Sequence, residues 1–274
     1  MVKIFVSGIF PRSDELIKKI NKYEKKKIGV EELREAYEDE EKSWIEFQKG
    51  LSYVSDPLIT WNDIFRPFTL NMENVEPGPL TRYLETNTFI RVPTIKGEPE
   101  IKLSILDMKN DYGINFILNR ENKILLPGPY SFIKFSINRS GIPEEKLLEK
   151  ISEIIFSQAK FFNYVEFKEP LIQSIEDLKK VSEIYSTANA NGYVFTNIET
   201  QNFIDFPLGY AVRTKNFSDV NESIIVELID VFSTRIENLD IPDISITTNE
   251  SLEFLPFNIS KKKIEIMKKL LEVK

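Results

Sequence analysis

The chain has 274 residues, 42% of them hydrophobic, enough for one large α/β domain or two small ones whose core needs no metal or disulfide support. Its formal charge of −7 excludes a nucleic-acid backbone as the expected partner. With 0 Cys and 0 His, the chain has no disulfide, no thiolate nucleophile or metal ligand, and no imidazole base of its own.

The opening stretch from Met1 to Val6 is too short for a signal peptide, and no apolar run spans a bilayer. A soluble cytoplasmic protein without membrane contact is expected. Lys25–Lys27 and Lys261–Lys263 are flanked by acids or sit on helices, so they read as solvated faces.

In chain order, Lys3–Ser7 reads as a strand ending at Gly8, and Phe10-Pro11-Arg12 as the loop after it. Ser13 is placed to cap a helix with Asp14 and Glu15 in its first turn and Leu16, Ile17, Ile20 and Tyr23 on its apolar stripe. A second helix over 31–48 buries Leu33, Tyr37, Trp44, Ile45 and Phe47. The stretch 51–57 is a strand with Asp56 at its C-terminal end, where parallel α/β barrels put their chemistry. Asp56 has either that role or a capping or loop-bracing one.

Residues 57–100 show little periodicity and several prolines, which predicts a long loop excursion over one face of the domain. Its dense parts are Trp61–Phe68 and Glu76–Arg82, where aromatics, acids and bases lie between regular elements. Strand-like runs at 101–106 and 114–118 flank a turn at Asn110–Gly113, and 124–126 is a strand entering a tight loop at Pro127-Gly128-Pro129. A strong amphipathic helix covers 143–162, a strand 164–167, and a helix capped by Ser174 covers 175–185. Strands follow at 192–196, 209–212 and 244–247, with a short helix or loop at 198–203 and a closing helix over 260–273; 223–231 fits neither the strand nor the helix period cleanly and is read as a strand. Alternation of roughly eight strands with helices predicts a single (β/α)8 TIM barrel over residues 1–274.

Phe10-Pro11-Arg12, Trp61–Phe68, Glu76–Arg82, Thr86–Pro93, Leu126–Phe132, Glu169-Pro170 and Ser251–Pro256, in this order, resemble cobalamin-independent methionine synthase along nearly the whole chain. The resemblance implies a barrel related to one half of a two-barrel enzyme. The family's C-terminal barrel holds zinc through one His, two Cys and one Glu and activates homocysteine. Its N-terminal barrel helps hold the folate methyl donor and lacks the metal. This chain departs from the catalytic pattern. Tyr193–Asn197 stands at the His-x-Cys strand, Arg213 lies near the Glu position, Glu250 stands at the last Cys, and Lys168 replaces the Asp that would pair with the homocysteine ammonium. Ile9 replaces a small hydroxyl residue before Phe10-Pro11.

The expectation is therefore a non-catalytic, N-terminal-type barrel with no cofactor of its own. It would assist a separate zinc-bearing methionine synthase chain, and Arg12, Asp63, Arg66, Arg82, Asn87 and Arg91 would bind a methylated pterin, folate or corrinoid donor or that partner. Arginine forks suit a glutamate tail or a partner carboxylate. Trp61 and Phe65 either stack on a flat ring or simply pack, and Asp63 and Arg66 either serve the site or pair with each other. Glu169 is either a site acid or the buried partner of an arginine. Gly128 and Pro129 read as turn-formers. The alternatives are a stand-alone methyltransferase or corrinoid- or pterin-binding protein using Asp56 and Glu169, or a regulatory pseudoenzyme.

Overall fold

Ser13 caps the first helix, α1 (Asp14–Glu24), by accepting the Leu16 N–H, and Asp14 and Glu15 lie in the first turn, where unpaired N–H groups favour acids. Of its expected stripe only Leu16 and Ile20 are buried; Ile17 is exposed. The next helix, α2 (Val30–Gln48), turns Leu33, Tyr37 and Trp44 into the core, while Ile45 and Phe47 stay half-buried. Trp44 donates Nε1–H to the Pro11 carbonyl at 3.2 Å and packs on Phe10 and Phe257. These coordinates are a computed structural model, which describes residues 3–235 and 243–272.

Residues 57–100 are not the structureless excursion that their composition suggests. A short helix, α3 (Arg66–Asn71), leads into a long antiparallel hairpin of β1 (Met72–Arg82) and β2 (Phe89–Ile101). Register shifts between Glu73 and Val75 and between Pro77 and Leu80 break the alternation that would announce a strand. Pro77 and Pro79 lie in β1, which has no second partner among the described residues, a position where a missing N–H is tolerated. The runs at 101–106 and 114–118 form no strands beyond Ile101. The turn between them does form, with the Gly113 N–H on the Asn110 carbonyl and a single bridge from Lys109 to Asn115.

The rest alternates. The elements are β3 (Lys123–Pro127), α4 (Pro129–Phe135), β4 (Ile137–Asn138), α5 (Glu144–Ala159), β5 (Tyr164–Lys168), α6 (Ile175–Lys180), α7 (Ser182–Ser186), β6 (Gly192–Glu199), β7 (Gly209–Arg213), β8 (Ile224–Ile229), β9 (Ser245–Thr248) and α8 (Phe257–Glu272). The helix expected over 175–185 divides at Val181, and of the short helix or loop expected at 198–203 the loop forms, after β6 has run on to Glu199. β4 adds a short parallel third strand to the hairpin.

Six strands form one parallel sheet in the order β3-β5-β6-β7-β8-β9, curled on itself. Its two edges meet the opening segments only at single bridges, Ile4 beside Ile246 and Ser55 beside Lys123. A complete eight-stranded ladder is replaced there by side chains. Gln48 bonds both the N–H and the carbonyl of Ser55 at 2.8 Å, Ser55 Oγ donates to the Val6 carbonyl, and Ser52 Oγ accepts the Ile4 N–H. Backbone groups are satisfied without a continuous strand.

Because Trp44 joins α2 to both ends of the chain, Trp44→Ala should lower the unfolding free energy by about 3–5 kcal/mol in urea denaturation. Ile17→Ala, on the exposed side of α1, should stay within about 0.5 kcal/mol of the parent.

Candidate functional site

Alternation along the strands sends Lys123, Tyr164, Glu166, Lys168, Tyr193, Phe195, Ala211, Arg213, Ile225, Glu227 and Thr247 to the inner side of the curl. The lower layer is aromatic. Phe5, Tyr53, Tyr164 and Tyr193 pack together, with Tyr53 stacked on Tyr164 at 4.2 Å. Above it lie charges almost wholly removed from water. Glu166 accepts from Lys123, from the Ser7 hydroxyl and from Tyr193 Oη. Burial pushes Glu166 upward, but the ammonium groups of Lys123 and Lys168 outweigh it and hold the carboxyl below its usual range. Burial conversely draws Lys123 down.

Higher still, Lys168 forms an ion pair with Glu250 while its Nζ sits 3.1 Å from the centroid of the Phe195 ring. Arg213 Nε lies 3.7 Å from Glu227 Oε2, and burial lifts Glu227 well above the carboxylate range despite that guanidinium. Gly8, at φ +79°, brings the first loop against Ser251; a Cβ there would lie 1.9 Å from Ser251 Oγ.

The β1–β2 hairpin folds over this end of the sheet. Tyr83 stacks near Phe135 and Phe254, at 6.0 and 6.3 Å, and Ile90 and Thr88 close on Ile9, Asp63, Lys168 and Glu253. What remains between them is a cavity of about 20 Å³, room for about one water. Glu253 on its wall is pushed to about 8 by burial and by the charge of Glu250. Outside the cap, a groove of about 550 Å³ runs along Phe10, Arg12, Trp61, Asn62, Glu253 and Phe257.

The residues singled out from the sequence fall in several places. Arg12 binds the carbonyls of Ile59 and Trp61, each at 2.7 Å, and Asn62 Oδ1 at 3.0 Å, bracing the loop that borders the groove. Trp61 and Phe65 are buried, on Phe116 and on Phe132 respectively, so neither ring offers a free face. Asp63 does not pair with the Arg66 side chain; it accepts the N–H groups of Phe65, Arg66 and Arg91, starting α3 and tying β2 to it. Arg66 pairs instead with Asp111, whose carboxyl it holds low against the opposing pull of burial.

Arg82 closes the hairpin turn on the Thr86 carbonyl and on Asn87 Oδ1, and the Arg91 side chain reaches the Gly78 carbonyl at 3.2 Å. Glu169 has no arginine partner. It accepts the N–H groups of Tyr130 and Ser131 and the Tyr185 hydroxyl, and burial raises it to about 7. Gly128 makes this approach possible, since a Cβ there would lie 2.1 Å from the Glu169 carboxyl carbon.

Asp56 accepts the Asn119 N–H at 3.0 Å and faces Glu41 on α2. Among the described residues Glu41 Oε1 and Oε2 and Asp56 Oδ1 have no donor, and a single proton shared by the two carboxyls joins one oxygen of each. The buried set Ser7, Glu41, Lys123, Glu166, Tyr193 and Glu227 escaped sequence reasoning. Its signal is the lone charge inside an apolar strand, as in Tyr164-Val165-Glu166-Phe167-Lys168 and Ile225-Val226-Glu227-Leu228.

No family model matches the chain. It is similar in fold to a B12-independent methionine synthase from Shewanella sp. W3-18-1, solved in complex with selenomethionine, with a TM-score of 0.67, 16% identity and 90% of each chain covered. It is 33% identical over 116 residues to high molecular weight rhoptry protein 2 of Plasmodium falciparum, isolates NF54 and 3D7, across 41% of this chain and 8% of that protein. The chain thus spans a small fraction of that relative's length, and the match carries no family assignment. No helix among the described residues is long and apolar enough to cross a membrane.

Two measurements probe the buried charges. Lys168→Met strands Glu250 and should cost about 3–5 kcal/mol in urea unfolding, while Lys168→Met with Glu250→Met should recover most of the loss. Burial raises Glu41 and, to about 6, Asp56, so the native chain holds their shared proton more tightly than the unfolded chain does. That contribution is complete below about pH 4 and is lost as pH rises through the raised folded values. The unfolding free energy of the parent from urea denaturation should therefore fall relative to that of Glu41→Gln, by on the order of 2 kcal/mol between about pH 5 and about pH 8; parallel curves would contradict a shared proton.

Proposed function

We propose that this chain is the companion barrel of a split cobalamin-independent methionine synthase: a barrel-like unit built on the curled six-stranded sheet, which does not transfer the methyl group itself and assists a separate zinc-bearing chain. The fold likeness to a B12-independent methionine synthase supports the scaffold. The Lys168–Glu250 ion pair carries the rest. In the family that the sequence resembles, these two positions hold the carboxylate for the homocysteine ammonium and the last metal-binding thiolate. Here they satisfy each other, beneath a hairpin that leaves a cavity of about 20 Å³.

The residues also do not fit the family's zinc. The chain has 0 Cys and 0 His, and the described residues include no group of three or more acids able to hold an ion. A thiol at neutral pH needs a metal or a base to become the nucleophile, and the inner groups nearest the mouth are the paired Lys168 and Glu250, the Arg213 guanidinium, and Glu227 and Glu253, whose carboxyls burial raises. Assistance then takes one or both of two forms, contact with the catalytic chain and retention of the methyl donor. The groove of about 550 Å³ beside Arg12 and Asn62 has the size for a pterin-class donor. A stand-alone activity would need Asp56 or Glu169, and both are enclosed with their oxygens turned to protein partners.

Co-expression with a zinc-bearing single-barrel methionine synthase chain should give a stable complex with methyl transfer faster than that of the zinc chain alone. Absence of co-purification together with unchanged turnover would overturn the companion reading, as would methionine formed by this chain alone.

A further inference from the structure

The hairpin that closes the mouth has a second face. On its inner side Ile90, Val92 and Tyr83 are buried. On its outer side Leu80 lies opposite Arg91 and Phe89 lies opposite Arg82, so two apolar and two guanidinium side chains alternate across the strands. Leu80 is 60% and Phe89 53% exposed. Both arginines are exposed, and among the described residues neither has a carboxylate partner; their bonds go to Asn87 and to the carbonyls of Thr86 and Gly78. In a chain with a formal charge of −7 this is a local reversal of sign.

Aromatic and arginine side chains around an apolar centre are the composition of binding hot spots. We propose that this outer face docks an acidic protein surface with an apolar centre, namely the catalytic chain of the companion reading, on which the inference rests for the identity of the partner. The missing carboxylates define the charge that the partner brings. Leu80 and Phe89 supply the area that it covers. A second copy fits poorly, because a two-fold contact on this face would gather four guanidinium groups with no carboxylate shown to pair with them. Addition of a strand along the outer edge of β1 is obstructed by Pro77 and Pro79, which leaves the side-chain face as the contact.

The test is sedimentation velocity of the full chain with the zinc-bearing chain, using Leu80→Ser with Phe89→Ser, Arg91→Glu, and Leu103→Ser as an exposed apolar control away from the hairpin turn. Thermal unfolding of each variant shows that the fold is retained. The paired apolar variant should weaken the complex by about thirtyfold or more and Arg91→Glu by about tenfold, while Leu103→Ser leaves it unchanged. Added salt should weaken the parent complex more than that of Arg91→Glu. Parent-like affinity in both hairpin variants overturns the docking face and leaves the companion reading standing. No complex with the parent chain overturns both. Self-association of the parent that the hairpin variants abolish overturns the stated occupant in favour of a second copy.

Discussion

Lys168 and Glu250 meet inside the curl of the parallel sheet, each almost wholly removed from water, and the chain around them is arranged to make that tolerable. Separating two such charges from solvent is costly, and their mutual attraction offsets that cost, although Arg213 Nε, both Glu227 oxygens and Thr247 Oγ1 nearby have no hydrogen-bond partner among the described residues. Phe195 covers the ammonium from one side, and Glu166, held ionised by Lys123 and Lys168, lies one inner position along β5. The lumen is therefore a ladder of compensating charges on an aromatic floor. A ligand carboxylate or ammonium reaching Lys168 or Glu250 would have to displace their ion pair.

The same constraint explains the cap. A polar lumen open to water would let solvent screen the pairs and separate them. The hairpin seals it with Tyr83 and Ile90, and Asp63 holds the hairpin down through the Arg91 N–H while also starting α3. Sealing one face of a two-stranded ribbon leaves the other in solvent. The arginines that the resemblance assigns to ligand binding lie partly on that outer face, at Arg82 and Arg91, and partly beneath the loops, at Arg12 and Arg66.

The parallel strands and their helices were legible because β3, β5 and β7 are short, mostly apolar buried runs, and because Ser13 and Ser174 announce helix starts by the capping that they perform; β8 was less so, its apolar residues fitting neither period cleanly. The hairpin was not legible: four prolines and two register shifts hide the period of its strands. The edges of the sheet were overread, since Gln48, Ser52 and Ser55 satisfy backbone groups that a ladder would otherwise pair. Of the site, the substituted positions Lys168, Arg213 and Glu250 were visible as departures from a pattern. That Lys168 and Glu250 satisfy each other is a tertiary fact, for they lie far apart in the chain. Glu169 read from its Glu-Pro setting as either a site acid or an arginine's partner, and what it binds, the N–H groups at the start of α4 and the Tyr185 hydroxyl, is set by the fold and not by the sequence around it.

The most direct test of a self-satisfied lumen is calorimetric titration of the purified chain with L-homocysteine in the presence of zinc, at neutral pH. The account predicts no heat beyond that of the same titration into zinc without the protein, with the Lys168–Glu250 pair left intact. Saturable binding at one site per chain would contradict it.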